Sequence, residues 1–241
     1  MNKRKLMLVA VALCMVAILG FGGTLAYLTD TDHAKNTFTL GNVEIELHET
    51  DVEGNAFENG QVLLPGIKNH VDKVVRVENT GDNDAYMWVE LLIPASLDKV
   101  GNASENILHF NPCDTYLKDG VETPLHSSEA TGLTKVATTI ETYMGHVTLD
   151  DVTYNVYREH IENDTAKETG EFTYALLTQV YVDAGCDQCN EGHENCYVKG
   201  ENHYQGPWQI LVRAYGIQAD GFGSIDEAMT AYYAQYPSDA E

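Results

Sequence analysis

Period-two alternation is the feature that most constrains this chain. Val43, Ile45 and Leu47 alternate with Glu44, Glu46 and His48, the pattern of a half-buried strand. Just upstream, Phe38 and Leu40 alternate with Thr37 and Thr39, and the phase slips by one residue across Gly41-Asn42. A glycine at a phase slip marks a bulge or bend, because glycine tolerates the angles a bulge needs. Val75 and Val77 share one face of an expected strand over 71–78, with Val74, Arg76 and Glu78 on the other. Met87, Val89, Leu91 and Ile93 share a face over 86–93, and Pro94 closes that run. The polar turn Asn79-Thr80-Gly81-Asp82-Asn83-Asp84 between these two runs predicts an antiparallel pair.

Further strands are expected over 136–142 and 147–157, and at 180–182. Residues 174–177 fit one helical turn as well as strand, and so short a run has no decisive period. The last strand is expected over 209–219. Ile210, Val212, Ala214 and Gly216 alternate there with Leu211, Arg213, Tyr215 and Ile217, both partly apolar, as in a central strand. Residues 51–61, 97–132 and 158–171 read as polar or charged connections, and Leu64-Pro65-Gly66 as a tight reversal. A helix is expected over 224–236. Ser224 and Glu227 form its capping box, and Ile225, Ala228, Met229 and Tyr232 form one face. Pro237 stops it, and Tyr232, Tyr233 and Tyr236 are expected to pack on the sheets. The fold class is therefore all-β, with long loops and a short C-terminal helix.

The front of the chain has a different character. Lys3, Arg4 and Lys5 precede an apolar run ending near Phe21, and Gly22-Gly23-Thr24-Leu25-Ala26 offers small residues at a cleavage site. That is the layout of a secretory signal peptide, residues 1–26, cut between Ala26 and Tyr27. The apolar run also has the length at which membrane-spanning helices begin; the Gly-Gly break and the Thr-x-Ala site favour cleavage over an anchor. Residues 27–241 then form a single domain. Removing the leader takes the formal charge from −23 to −26, since three cations leave and no acid does. Such a surface repels nucleic acid and anionic lipid, so the membrane is met only through the leader. It attracts cations and makes self-association sensitive to salt. Solubility alone also accounts for it.

Residues 22–47, with Gly22-Gly23-Thr24-x-Ala26-Tyr27-x-x-Asp30 followed by Asn36-Thr37-Phe38-Thr39-Leu40-Gly41-Asn42-Val43-Glu44-Ile45-Glu46-Leu47, resemble the camelysin and TasA group. Leu64-Pro65-Gly66, Asn79-Thr80-Gly81, Ala85-Tyr86, Tyr204-Gln205-Gly206 and Ala214-x-x-x-Gln218 are also similar to it. The group comprises surface, biofilm-matrix and spore-coat-associated proteins of Gram-positive bacteria, exported through a dedicated signal peptidase. The resemblance implies a jelly-roll β-sandwich and polymerisation by passing an N-terminal strand to the next subunit. Thr37, Phe38, Thr39 and Leu40 would then lie in the donated strand.

Residues 183–203 look like an insertion relative to that group. Cys186, Cys189, His193 and Cys196 lie within eleven residues, a spacing that suits a tetrahedral zinc knuckle. Loss of the leader, which carries Cys14, leaves four cysteines, these three and Cys113, an even number that suits disulfides in an exported protein. Structural zinc and disulfide bonding both remain open. Asp82-Asn83-Asp84 could offer oxygens to calcium, although the residue types favour a plain turn.

Catalysis finds little support. A zinc peptidase needs two histidines one helical turn apart with a nearby carboxylate, and no His-Glu-x-x-His occurs. No Gly-x-Ser-x-Gly elbow and no phosphate-binding glycine loop occurs either. The expectation is a secreted, non-enzymatic protein that assembles with copies of itself, and with other matrix proteins, into cell-surface or matrix fibres. The alternatives are a secreted camelysin-like metalloendopeptidase and a monomeric surface-binding module. The leader makes a first prediction: intact mass of protein released into the medium should place Tyr27 at the N-terminus, and material beginning at Met1 would overturn the cleavage.

Overall fold

The structure is a computed structural model that describes residues 29–32, 43–61, 63–111, 115–118, 121–124, 134–135, 138–188, 196–199, 202–205 and 209–236. For 29–32, 115–118, 121–124, 134–135, 188, 196 and 202–205 only the backbone is described. In chain order the strands are β1 (Thr29–Asp32), β2 (Ile45–Thr50), β3 (Val71–Asn79), β4 (Ala85–Pro94), β5 (Leu108–Asn111), β6 (Thr115–Lys118), β7 (Val121–Pro124), β8 (Thr134–Lys135), β9 (Thr139–Leu149), β10 (Val152–Ile161), β11 (Leu177–Val182), β12 (Asp187–Gln188), β13 (Cys196–Lys199), β14 (Asn202–Gln205) and β15 (Leu211–Gln218). Helix α1 spans Ile225–Gln235.

Two antiparallel sheets face each other. One has the order β1-β15-β4-β10-β9 and the other β2-β3-β11-β5. Ile45, Val75, Val77, Leu177 and Val182 from the second meet Met87, Val89, Leu91, Ile93, Tyr157 and Ala214 from the first in one buried cluster. Two smaller three-stranded sheets, β7-β6-β8 and β12-β13-β14, come from the long loops. The chain is thus an all-β antiparallel sandwich with one short C-terminal helix.

Alternation accounts for most of the core. Val43, Ile45, Val75 and Val77 are buried, as are all four of Met87, Val89, Leu91 and Ile93. Strand β4 goes further, because every one of its residues is buried. Its second face, Tyr86 and Trp88, joins Tyr215 and Ile217 of β15 beneath Ile225, Ala228, Met229 and Tyr232 of α1. The helix starts as its sequence requires. The Ser224 hydroxyl accepts from the Glu227 backbone N–H at 3.3 Å, and the Glu227 carboxylate accepts from the Gly223 N–H at 2.8 Å.

Three expectations are corrected, and one reading left open is resolved. First, β3 and β4 do not pair; they lie in opposite sheets. Both edges of β3 are already taken, one by β2 and the other by the segment leading into β11, where Thr173 donates to the Val77 carbonyl at 2.9 Å. The Asn79 side chain holds the intervening loop as an arch, donating to the carbonyls of Asn83 at 2.8 Å and Lys167 at 2.7 Å. Second, the strands expected over 136–142 and 147–157 are one hairpin, β9–β10, turning at Asp150-Asp151. Both aspartates have positive φ, 48° and 65°, as a two-residue hairpin of the primed type needs. Third, residues 174–177 make no helical turn; Leu177 begins β11. Fourth, the 97–132 connection is not merely superficial, since Leu97, Ile107 and Leu108 are fully buried.

Buried charge is handled in two contrasting ways. Glu90, on the helix-facing side of β4, accepts from the hydroxyls of Tyr215 at 2.8 Å and Tyr233 at 2.9 Å. Arg158 lies 3.5 Å from its carboxylate and stacks 3.5 Å over the Tyr233 ring. Burial first, and then the Glu90 charge, push both tyrosine hydroxyls far above their ordinary range. Glu159, on the core-facing side of β10, is 0% exposed, and neither oxygen has a hydrogen-bond partner among the described residues. Burial, reinforced by the Glu141 carboxylate opposite it on β9, pushes its acid up to about 10.

Two predictions follow from this packing. A Cβ on Gly216 would sit 2.8 Å from Ile45 Cγ2, so Gly216→Ala should destabilise the contact between β15 and β2 by about 1–3 kcal/mol, read by urea unfolding. Glu159 favours the fold where the unfolded chain is also protonated, below its ordinary pKa of 4.5, and opposes it increasingly as pH rises toward 10. Glu159→Met should therefore raise Tm at pH 8 and change it little at pH 4, with a gain of roughly 3 kcal/mol near neutrality. Equal effects at both pH values would refute the assignment of a neutral buried acid.

Candidate functional site

Two regions of the sandwich carry groups with functional potential: the edge occupied by β1, and the outer face of the β2–β3 pair. At the edge, β1 pairs antiparallel with β15, with Thr29 opposite Ile217 and Asp32 opposite Ala214. Among the described residues its other side has no strand in the sheet, and the described chain resumes at Val43. The described part of this strand is four residues long and lies at the sheet edge. It lies where β15 comes closest to β2, because Gly216, opposite Asp30, leaves room for Ile45. A short edge strand of this kind is held mainly by one row of backbone hydrogen bonds.

On the outer face of the second sheet, pairing places Glu46 opposite Glu78 and His48 opposite Arg76. Period-two geometry puts Glu46 and His48 on one side of β2, away from the core valines. The His48 Nε2 lies 2.9 Å from a Glu78 oxygen. The Phe172 ring, from the segment beside β3, meets the imidazole edge-on at 5.2 Å. One ligand atom each from Glu46, His48 and Glu78 falls within 4.8 Å of the others. The alternation assigned each of these residues to an outer face, but the register that gathers them requires the β2–β3 pairing.

Of the residues singled out from sequence, Ala26, Tyr27, Thr37, Phe38, Thr39 and Leu40 lie outside the described residues, as do Cys113, Cys189 and His193. Cys196 opens β13, its backbone opposite Gln205. Cys186 is buried in the main core cluster and has no disulfide partner among the described residues. Burial, and after it the nearby Asp183 carboxylate, pushes its thiol up to about 11. Asp183 is held below the usual carboxylate range by hydrogen bonds from the Gly185 backbone, His109 and Lys199, which outweigh the opposing effect of its partial burial. The 183–203 stretch is also tied into the sandwich: Tyr197 is buried and donates to the Leu63 carbonyl, and Lys199 Nζ donates to the Asn106 carbonyl at 2.8 Å. In the 79–84 turn, the Asp84 carbonyl accepts from the Ala219 N–H at 2.8 Å, which ties the turn to the end of β15. Among the described residues no helix is long and apolar enough to cross a membrane.

The family model described as camelysin metallo-endopeptidase matches residues 1–94, the stretch that ends with β4. No curated protein and no solved structure matches the chain. Over these first 94 of its 241 residues the chain is similar to the camelysin family.

Proposed function

We propose that this is an exported surface or matrix protein that joins copies of itself into fibres by exchanging its N-terminal strand. The observation that carries the reading is the position of β1. The segment that would be the mature N-terminus lies at a sheet edge, paired only to β15 in that sheet. In the single chain that edge is closed by its own β1. In the assembly, the corresponding segment of a second copy would occupy the same place, with residues 27–40 as the donated stretch. Backbone pairing supplies affinity in such an exchange, and alternate side chains supply register. Each copy donates at one end and accepts at the other, so the contact is heterologous and builds an open filament. The similarity of the first 94 residues to the camelysin family and the resemblance to the TasA group support the reading.

The strong negative charge sets a condition on assembly. Subunits of about −26 repel one another at low ionic strength, so fibres should form more readily as salt or divalent cation rises. The reading assigns the chain no catalytic role, and it places signal peptidase among its partners only during export.

Deleting residues 27–40 should abolish filaments in electron micrographs and leave a monomer by light scattering. A synthetic peptide of residues 27–40 should then bind the truncated protein. Fibres that persist after the deletion would overturn the proposal. Zinc-dependent casein cleavage by the pure protein would favour the peptidase reading instead, and a monomer at every concentration would favour a binding module.

A further inference from the structure

The outer face of the β2–β3 pair holds an arrangement that strand exchange does not use. Glu46 and Glu78 stand directly opposite each other, and His48 is the next residue along the same face of β2. The His48 Nε2 is buried and only 2.9 Å from the Glu78 carboxylate, yet it makes no aligned hydrogen bond with any described residue. By contrast His109, at 2.7 Å from Asp183, is aligned for one. An imidazole nitrogen and a carboxylate oxygen that are close without pointing at each other can converge on a common point between them. The Glu46 carboxylate completes a set of three ligand atoms, all within 4.8 Å of one another.

From this geometry we propose that Glu46, His48 and Glu78 bind one divalent cation of the zinc class, bracing β2, at one edge of its sheet, against β3. A tetrahedral ion with bonds of ~2.0 Å holds its ligand atoms roughly 3.3 Å apart. The observed spacing is near enough for side-chain rotations to close it, with water at the fourth position. The ligand types choose the ion. Calcium takes six or more oxygens, whereas imidazole with two carboxylates suits zinc and its transition-metal neighbours. The Phe172 ring restricts the tilt of the imidazole. Arg76, opposite His48, is the competing cation on this face; a plain ladder of ion pairs is the alternative that the test must exclude. The inference stands apart from fibre assembly.

The test is a titration of the purified, chelator-stripped protein with zinc chloride by calorimetry and with cobalt chloride by absorption. One equivalent should bind, with visible cobalt bands and no thiolate charge-transfer band in the near ultraviolet. That spectrum separates this site from the cysteines of residues 186–196. His48→Ala and Glu78→Gln should each weaken binding by about tenfold or more. Glu46→Gln, at an exposed position, should do so while leaving the far-ultraviolet circular dichroism unchanged, and Glu53→Gln, on an exposed loop, should have no effect. Absence of binding, a thiolate band accounting for all of it, or equal affinity in the Glu46→Gln protein would overturn the proposal.

Discussion

Burial of β4 on both faces is the constraint on which the rest of the architecture depends. One face packs on the second sheet and the other needs a cover of its own. Helix α1 is that cover, and Trp88 shows how close the fit is. Its ring stacks on Tyr215 at 5.7 Å and meets Tyr232 edge-on at 5.3 Å, while its indole N–H donates to the Tyr233 hydroxyl at 2.9 Å. Aromatic pairs in these geometries add to simple area burial. The C-terminal helix is thus a third layer over part of a two-layer fold.

The same two-sided burial forces a choice wherever β4 or its neighbour β10 carries an acid. Glu90 is surrounded by partners: two tyrosine hydroxyls donate to it, and Arg158 and Arg213 lie nearby. Removing one partner of such a group costs several kcal/mol, because the other is left unbalanced. Glu159 has no such support and is held as the neutral acid. His160, the next residue on β10, faces the helix near Asp226, with burial pulling its pKa below the ordinary value. Adjacent residues on one strand therefore respond to opposite ends of the pH scale. The imidazole resists burial as pH falls, and the carboxyl resists it as pH rises.

Legibility in the sequence varied with the range of the cause. Local causes were readable: the inward faces of β2, β3 and β4, the Pro94 terminus, and the Ser224–Glu227 cap with its buried helical face. The continuous apolar run of β4 already implied two buried faces, but alternation alone drew attention to one. Pairing was not readable. Asn79 to Asp84 looks like a hairpin turn, and only competition for the edges of β3 shows that it arches between sheets. The Asp150-Asp151 turn lacks the glycine that usually marks a primed hairpin. The Glu46–His48–Glu78 group depends on register between two strands, which no single strand encodes. The burial of Cys186 in the core follows from contacts with distant strands, which its local spacing does not encode.

The pairing of β1 with β15 has a consequence in time as well as in space. The first strand of the fold meets its partner only when nearly the whole chain is available, since Thr29 lies against Ile217. A polypeptide crossing a membrane from its N-terminus would present that strand long before its own receptor exists. Closing that edge of the sheet is therefore a late event whenever the chain folds from its front end, and until then the backbone groups of β1 must be satisfied by water.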